Sequence, residues 1–126
     1  TRGFAKLGTG LTESSGVYSF PSTGHYLIQF IAFLSNSNAE ERFCKAFIEV
    51  TEDNSSFNSA NDTRTSLAGG SGQRNGSIHC SHVFDVTNTT NDKFKVGVDH
   101  SDSNTVVHGD SNTNETYIIV TKLAET

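Results

Sequence analysis

Tyr26-Leu27-Ile28-Gln29-Phe30-Ile31-Ala32-Phe33-Leu34 is the longest apolar run in the chain. As a period-2 strand it puts Tyr26, Ile28, Phe30, Ala32 and Leu34 on one face, and Leu27, Ile31 and Phe33 on the other. Gln29 is the one polar interruption. A half-exposed strand alternates apolar with polar residues. A strand apolar on both sides needs cover on both, so it is either enclosed within the fold or presses its second face on another subunit.

On both sides of this run, short strand-like stretches recur with turn-forming residues between them. Arg42 to Thr51 alternates, with Cys44, Ala46, Ile48 and Val50 reading as core and Phe43, Lys45, Phe47 and Glu49 facing the other way. Ser77 to Val86 puts Ile78, Cys80, His82, Phe84 and Val86 on one face, and Phe94-Val96-Val98 answers it after a polar turn. Val106-Val107-His108 and Thr116 to Leu123 complete the series, the latter again apolar on both faces. Ser35 to Glu41 and Thr51 to Gly76 read as polar loops, the second holding one short strand at Thr63–Leu67 and a glycine-rich tip, Ala68 to Gln73. No stretch has helical period. Eight or more strands at regular spacing predict an all-β sandwich.

Composition narrows the class. At 126 residues there is one domain, long enough for a single core. Hydrophobic content is only 33%, but nine Phe among the many β-branched residues argue for polar loops around a real core and against disorder. The formal net charge is −5 and the Lys and Arg residues are scattered, so no cationic stripe exists to neutralise phosphates and nucleic acid is not expected as a partner. No apolar run is long enough for a membrane span. With Thr1 first and no Met, the chain reads as part of a longer one or as a processed product.

The order Gly16-Val17-Tyr18-Ser19-Phe20-Pro21, two residues, Gly24, His25, Tyr26 resembles the G-x-[FY]-x-F-P-x-x-G-x-[YF] signature of the C1q-like domain, the trimeric jelly roll shared with the tumour necrosis factor superfamily. Phe43 to Val50 falls where that family has strand C. Ser77 to Thr87 followed by Asp92 to Val98, and Thr116 to Val120, fall in its later order. The family's F-S-G-F-L ending is here Tyr117-Ile118-Ile119-Val120-Thr121, a departure from the animal secreted branch. The resemblance implies a C1q/TNF-like jelly roll of about eight to ten antiparallel strands, assembled as a closed homotrimer with the first strand near the threefold axis. The expected interface residues are Phe4, Phe43, Phe47, Tyr117 and Ile119. Phe43 and Phe47 enter because two phenylalanines on an outer face usually mark an interaction site, the alternative being a covering loop.

Candidate chemistry is sparse. His79, Cys80 and His82 are residue types that bind zinc, but on a strand His79 points away from the other two. If either His79 or His82 lies near a symmetry axis, assembly becomes pH-sensitive. Asp99, Asp102 and Asp110 offer oxygens of the kind calcium takes, without a ligand-loop spacing. Cys44 and Cys80 read as buried thiols, with a disulfide across the sandwich as the alternative. Asn54, Asn61, Asn75, Asn88 and Asn114 each begin an N-x-[ST] sequon. No cofactor and no enzymatic activity are expected. The expected role is a virion structural module: a bacteriophage capsid decoration protein, or a fibre head that meets other virion proteins or a surface receptor or glycan. The alternatives are a secreted, extracellular C1q-like recognition domain and, more remotely, a metal-dependent jelly-roll enzyme.

Overall fold

The structure, a computed structural model, describes residues 9–37, 40–110 and 112–126. Among them are nine strands: β1 (Thr12–Ser14), β2 (Val17–Ser19), β3 (Gly24–Ser37), β4 (Glu41–Thr51), β5 (Asn58–Leu67), β6 (Gln73–Val86), β7 (Lys93–His100), β8 (Thr105–His108) and β9 (Tyr117–Ala124). All pairings are antiparallel, and the strands form two sheets. The first runs β1-β2-β7-β4-β5. In the second, β3 lies between β6 on one side and β9 and β8 on the other, β9 pairing with residues 25–31 and β8 with residues 33–36. Consecutive strands repeatedly change sheet, giving a β-sandwich with a jelly-roll-like strand order.

The run 26–34 is indeed the centre of its sheet, within a strand of 14 residues. Its even-numbered side chains are buried at 0–4% exposure and form the heart of the core with Cys44, Ala46 and Ile48 from β4, Ile78, Cys80, Phe84 and Val86 from β6, and Phe94 from β7. Fully burying each large apolar side chain contributes roughly 1.5–3 kcal/mol. Phe20 is the hub joining the layers. Its ring lies 4.7 Å from Tyr26 and 5.8 Å from Phe84 in the second sheet, and 5.4 Å from Phe94 in the first.

The motif around Pro21 therefore has a physical reading. Ser15 (φ 52°) and Gly16 (φ 80°) make the left-handed turn between β1 and β2. Phe20 plugs the gap between the sheets, and the Tyr26 hydroxyl donates to the Ser22 carbonyl at 3.0 Å, tying down the turn into β3. Gly24 has φ 139°, and a Cβ there would lie 2.6 Å from the Ala124 carbonyl and 2.4 Å from Lys122 Cε. Only glycine lets the end of β9 cross so closely.

Several boundaries differ from the sequence reading. Residues 35–37 continue β3 instead of opening a loop, because they pair with β6 and β8. The short strand expected at Thr63–Leu67 is the end of a ten-residue strand, β5, whose exposed and half-buried positions give no apolar period to read. Likewise β6 begins at Gln73, inside the expected glycine-rich tip, and β7 runs on to His100.

Candidate interaction surface

The outer faces of the two sheets are chemically unlike. On the first sheet, the outward residues of β4 are Phe43, Lys45, Phe47 and Glu49, opposite Asp99, Gly97 and Lys95 on β7 and Arg64 and Asp62 on β5. Signs alternate and pair: Lys45 with Asp99 at 2.8 Å, Lys95 with Glu49 at 2.8 Å, Arg64 with Asp62 at 3.6 Å. Each aromatic ring lies under a cation, Phe47 under Lys45, Phe43 under Arg64 and Phe57 under Lys95. The Phe47 ring also fills the space above Gly97, where a Cβ would meet it at 2.4 Å. Phe43 and Phe47 are half-buried within their own charged sheet, each beside a cation of that sheet.

The second sheet is the reverse. Its outward positions are His25, Leu27, Gln29, Ile31 and Phe33 on β3, the odd-numbered residues from Gln73 to Asp85 on β6, Val106 and His108 on β8, and Tyr117, Ile119, Thr121 and Leu123 on β9. Asp85 is the one acid or permanent cation among them, 3.6 Å from His25 at one end of the sheet. Leu27, Ile31, Phe33 and Tyr117 are half-buried by their neighbours, while Val83 (54%), Ile119 (45%) and Leu123 (55%) are open to solvent. From Leu27 to Phe33 the apolar residues run roughly 20 Å along β3 and extend onto β9 through Tyr117 and Ile119, while β6 adds Val83 beside Ser77, His79 and Ser81. Tyr117 and Ile119 thus share one apolar face with the second side of β3. Phe43 and Phe47 lie on the opposite side of the sandwich, and Phe4 lies outside the described residues.

The residues considered for metal chemistry do not converge. His79 points outward on β6 while Cys80 and His82 point into the sandwich, so the three cannot share an ion. Burial pushes the His82 pKa down, and its inward position removes it from any contact made by the outer face. Asp99 is paired with Lys45. Asp102 accepts from the Asn104 amide and side chain and is held low by them. Asp110 accepts the Asn112 and Thr113 amides of its own turn. Among the described residues, no group of three His, Cys, Asp or Glu side chains is placed to hold a metal. Cys44 and Cys80 are buried free thiols on opposite sheets. Burial pushes each up to about 11, helped by Glu41 for Cys44 and by Asp62 for Cys80.

One built polar site was not legible in the sequence. Glu41, read as part of a loop, is the first residue of β4 and has no exposed surface. Its Oε1 accepts the Phe43 and Ser101 amides and the Ser101 hydroxyl, and its Oε2 accepts the Asp102 amide and the Thr105 hydroxyl. Burial alone raises a carboxyl pKa, but these bonds outweigh it and hold Glu41 at about 2. Asn36, also buried, donates to Thr105 at 2.9 Å and to Asp102 at 3.3 Å. The cluster ties β3, β4 and the β7–β8 turn together at one end of the sandwich. Every group facing the Glu41 carboxylate is a donor, so the site suits a structural anion and not a cation.

A shallow groove of about 280 Å³ lies where β5 meets β6, lined by Gln29, Ile31, Asn61, Thr63, His79 and Ser81 among others. Asn61 and Thr63 use their side chains to cap the Ser81 and His79 carbonyls on the open edge of β6. No family model matches the chain, and a search of curated proteins found no match either.

Proposed function

We propose that this domain is a non-enzymatic module that assembles as a homotrimer through the outer face of the β6-β3-β9 sheet, and that it serves as a virion surface protein, either a capsid decoration protein or a receptor-binding head. One observation carries the reading: an acidic chain with charge-laced surfaces keeps one broad sheet face almost free of charge and lined by Leu27, Ile31, Phe33, Tyr117 and Ile119. Acidic copies repel one another at long range, and that face is the place where two copies meet without opposing charges. Closed threefold symmetry covers it in every copy and leaves no open-ended contact.

The C1q/TNF-like resemblance of the Gly16–Tyr26 stretch supports trimerisation, since its residues build the turn that joins the two layers. It also favours a second reading, a secreted recognition domain that uses its loops. Light scattering at neutral pH tests the assembly, with three times the 13.6 kDa chain mass expected. A monomer at tens of micromolar overturns it. Immunogold labelling of particles shed by the source cells separates the roles: label on particle surfaces supports the virion reading, and label confined to the soluble medium supports the secreted one.

A further inference from the structure

Three of the five histidines lie on the same outer face. His25, His79 and His108 occupy outward positions of β3, β6 and β8, so a face whose one permanent charge is Asp85 is rich in the one side chain that gains charge just below neutrality. Their surroundings differ. His25 stands 3.6 Å from Asp85, so its protonation completes an ion pair. His79 has Gln29 and Ile31 beside it on β3 and Asn61 and Thr63 on β5, and no acid pairs with its ring among the described residues. Asp62 and Arg64 flank those two on β5 but are paired with each other. His108 packs on the Phe33 ring at 4.9 Å and shares a hydrogen bond of 2.6 Å with the Ser35 hydroxyl. The acids nearest it along the chain are Asp110, which is engaged in its own turn, and Glu115, whose amide bonds the Thr113 carbonyl.

We infer that His79 and His108 gate the self-contact by pH: copies associate through this face while both rings are neutral and separate when both are protonated, with His25 neutral to the outcome because Asp85 absorbs its charge. The inference rests on the reading of this face as the self-contact. Unpaired imidazolium ions facing an apolar partner surface, repeated around a symmetry axis, combine a desolvation cost with like-charge repulsion. Over the same range the Glu41 cluster keeps its contribution, which is lost only below about pH 4.5, while buried His82 lowers stability as pH drops, so the circular dichroism spectrum is followed alongside the mass to separate dissociation from unfolding.

The test is light scattering with circular dichroism at pH 7.5 and 5.5 on the wild type, His25→Gln, and the double variant His79→Gln/His108→Gln. The expected result is a wild-type trimer at pH 7.5 that self-associates at least about tenfold more weakly at pH 5.5 with an unchanged spectrum. His25→Gln should behave like the wild type, and the double variant should associate equally at both pH values. His79 is exposed, so His79→Gln alone carries the test where the double variant fails to fold, with a smaller pH effect than the wild type. A wild type that is trimeric at both pH values overturns the gate and leaves the self-contact standing. A monomer at both overturns the two together, and acid dissociation that survives in the variants overturns the assignment to these histidines.

Discussion

Glu41→Gln removes one charge and almost no volume from the cluster at the end of the sandwich, so its effect isolates the hydrogen bonding. The carboxylate takes five donors: the Phe43 amide at 3.0 Å, the Ser101 amide at 3.1 Å, the Asp102 amide at 3.0 Å, and the Ser101 and Thr105 hydroxyls. An amide keeps one acceptor oxygen. With that oxygen at the Oε1 position, the new NH2 confronts the Asp102 N–H, which is left without a partner. Thr105 can turn its hydroxyl hydrogen away, and its oxygen already accepts from Asn36. The reverse orientation orphans two backbone amides and is worse. One orphaned buried N–H costs about 1–3 kcal/mol, and the bonds that remain lose their charge assistance, giving about 2–4 kcal/mol in all.

The pH dependence follows with a definite sign. The carboxyl sits at about 2 in the folded chain against an ordinary 4.5, so between those values the unfolded state binds more protons. The stabilisation is present in full above about pH 4.5 and is lost as pH falls toward 2, with a slope of at most about 1.4 kcal/mol per pH unit. Urea unfolding of wild type and Glu41→Gln at pH 7 and pH 3 is the assay. The gap between them should be about 2–4 kcal/mol at pH 7 and smaller by up to about 2 kcal/mol at pH 3. Equal midpoints at pH 7, or a gap that does not change with pH, would refute the account of Glu41 as a buried anion held by its donors.

Other perturbations give separable readouts. Ile119→Lys puts a cation at a site 45% exposed in the single chain; the expected outcome by light scattering is a folded monomer with an unfolding midpoint in urea no lower than that of wild-type monomer at high dilution. Gly24→Ala should cost about 1–3 kcal/mol by thermal unfolding, because it combines a backbone at φ 139° with a collision against the Ala124 carbonyl. Cys44 and Cys80, buried with their thiols pushed up to about 11, should resist iodoacetamide at pH 7.5 in the native protein and both react in urea. His82 sits below its ordinary pKa through burial, so the folded state binds fewer protons near 6.5 and stability falls as pH drops through that value; His82→Gln should flatten the acid limb of the stability profile there.

What the sequence made legible was whatever depends on period 2 in apolar residues. Cys44, Ala46 and Ile48 on β4 and Ile78, Cys80, Phe84 and Val86 on β6 were readable as core because polar residues alternate with them. β5 was mostly unreadable, because it is a polar edge strand held by backbone pairing to β4 and by Asn61 and Thr63 reaching to β6, neither of which leaves an apolar pattern. Glu41 was missed for a related reason. A buried carboxylate is identified by its donors, and those lie 60 or more residues away apart from Phe43. Phe43 and Phe47 mark the limit of what alternation tells about a side chain's surroundings. Alternation tells which side of the strand they occupy and puts Lys45 beside Phe47, but only the register of β4 against β5 brings Arg64 over the Phe43 ring.

The contrast between the two outer faces follows from where β3 sits. Placed at the centre of its sheet between β6 and β9, it offers positions 27, 31 and 33 to a surface whose neighbours could have been charged at little cost to folding, as positions 45, 49, 95 and 99 are on the other sheet. A solitary sandwich gains nothing from leaving Val83, Ile119 and Leu123 exposed beside them, since isolated surface apolar residues are common but a contiguous face of them favours aggregation. Between Leu27 and Phe33 the side chains that break this face are Gln29, Ser77, His79, Ser81 and Thr121, groups that pair or stay neutral in a closed contact at pH 7, while the charged Asp85 lies at one end beside His25. On the proposed reading, that combination suits a reversible contact between copies. Charge reversal therefore discriminates between the two sides of the molecule: Lys95→Glu on the first sheet should leave the solution mass unchanged, while Ile119→Lys on the second should abolish assembly. The opposite pattern would move the contact to the Phe43 and Phe47 face.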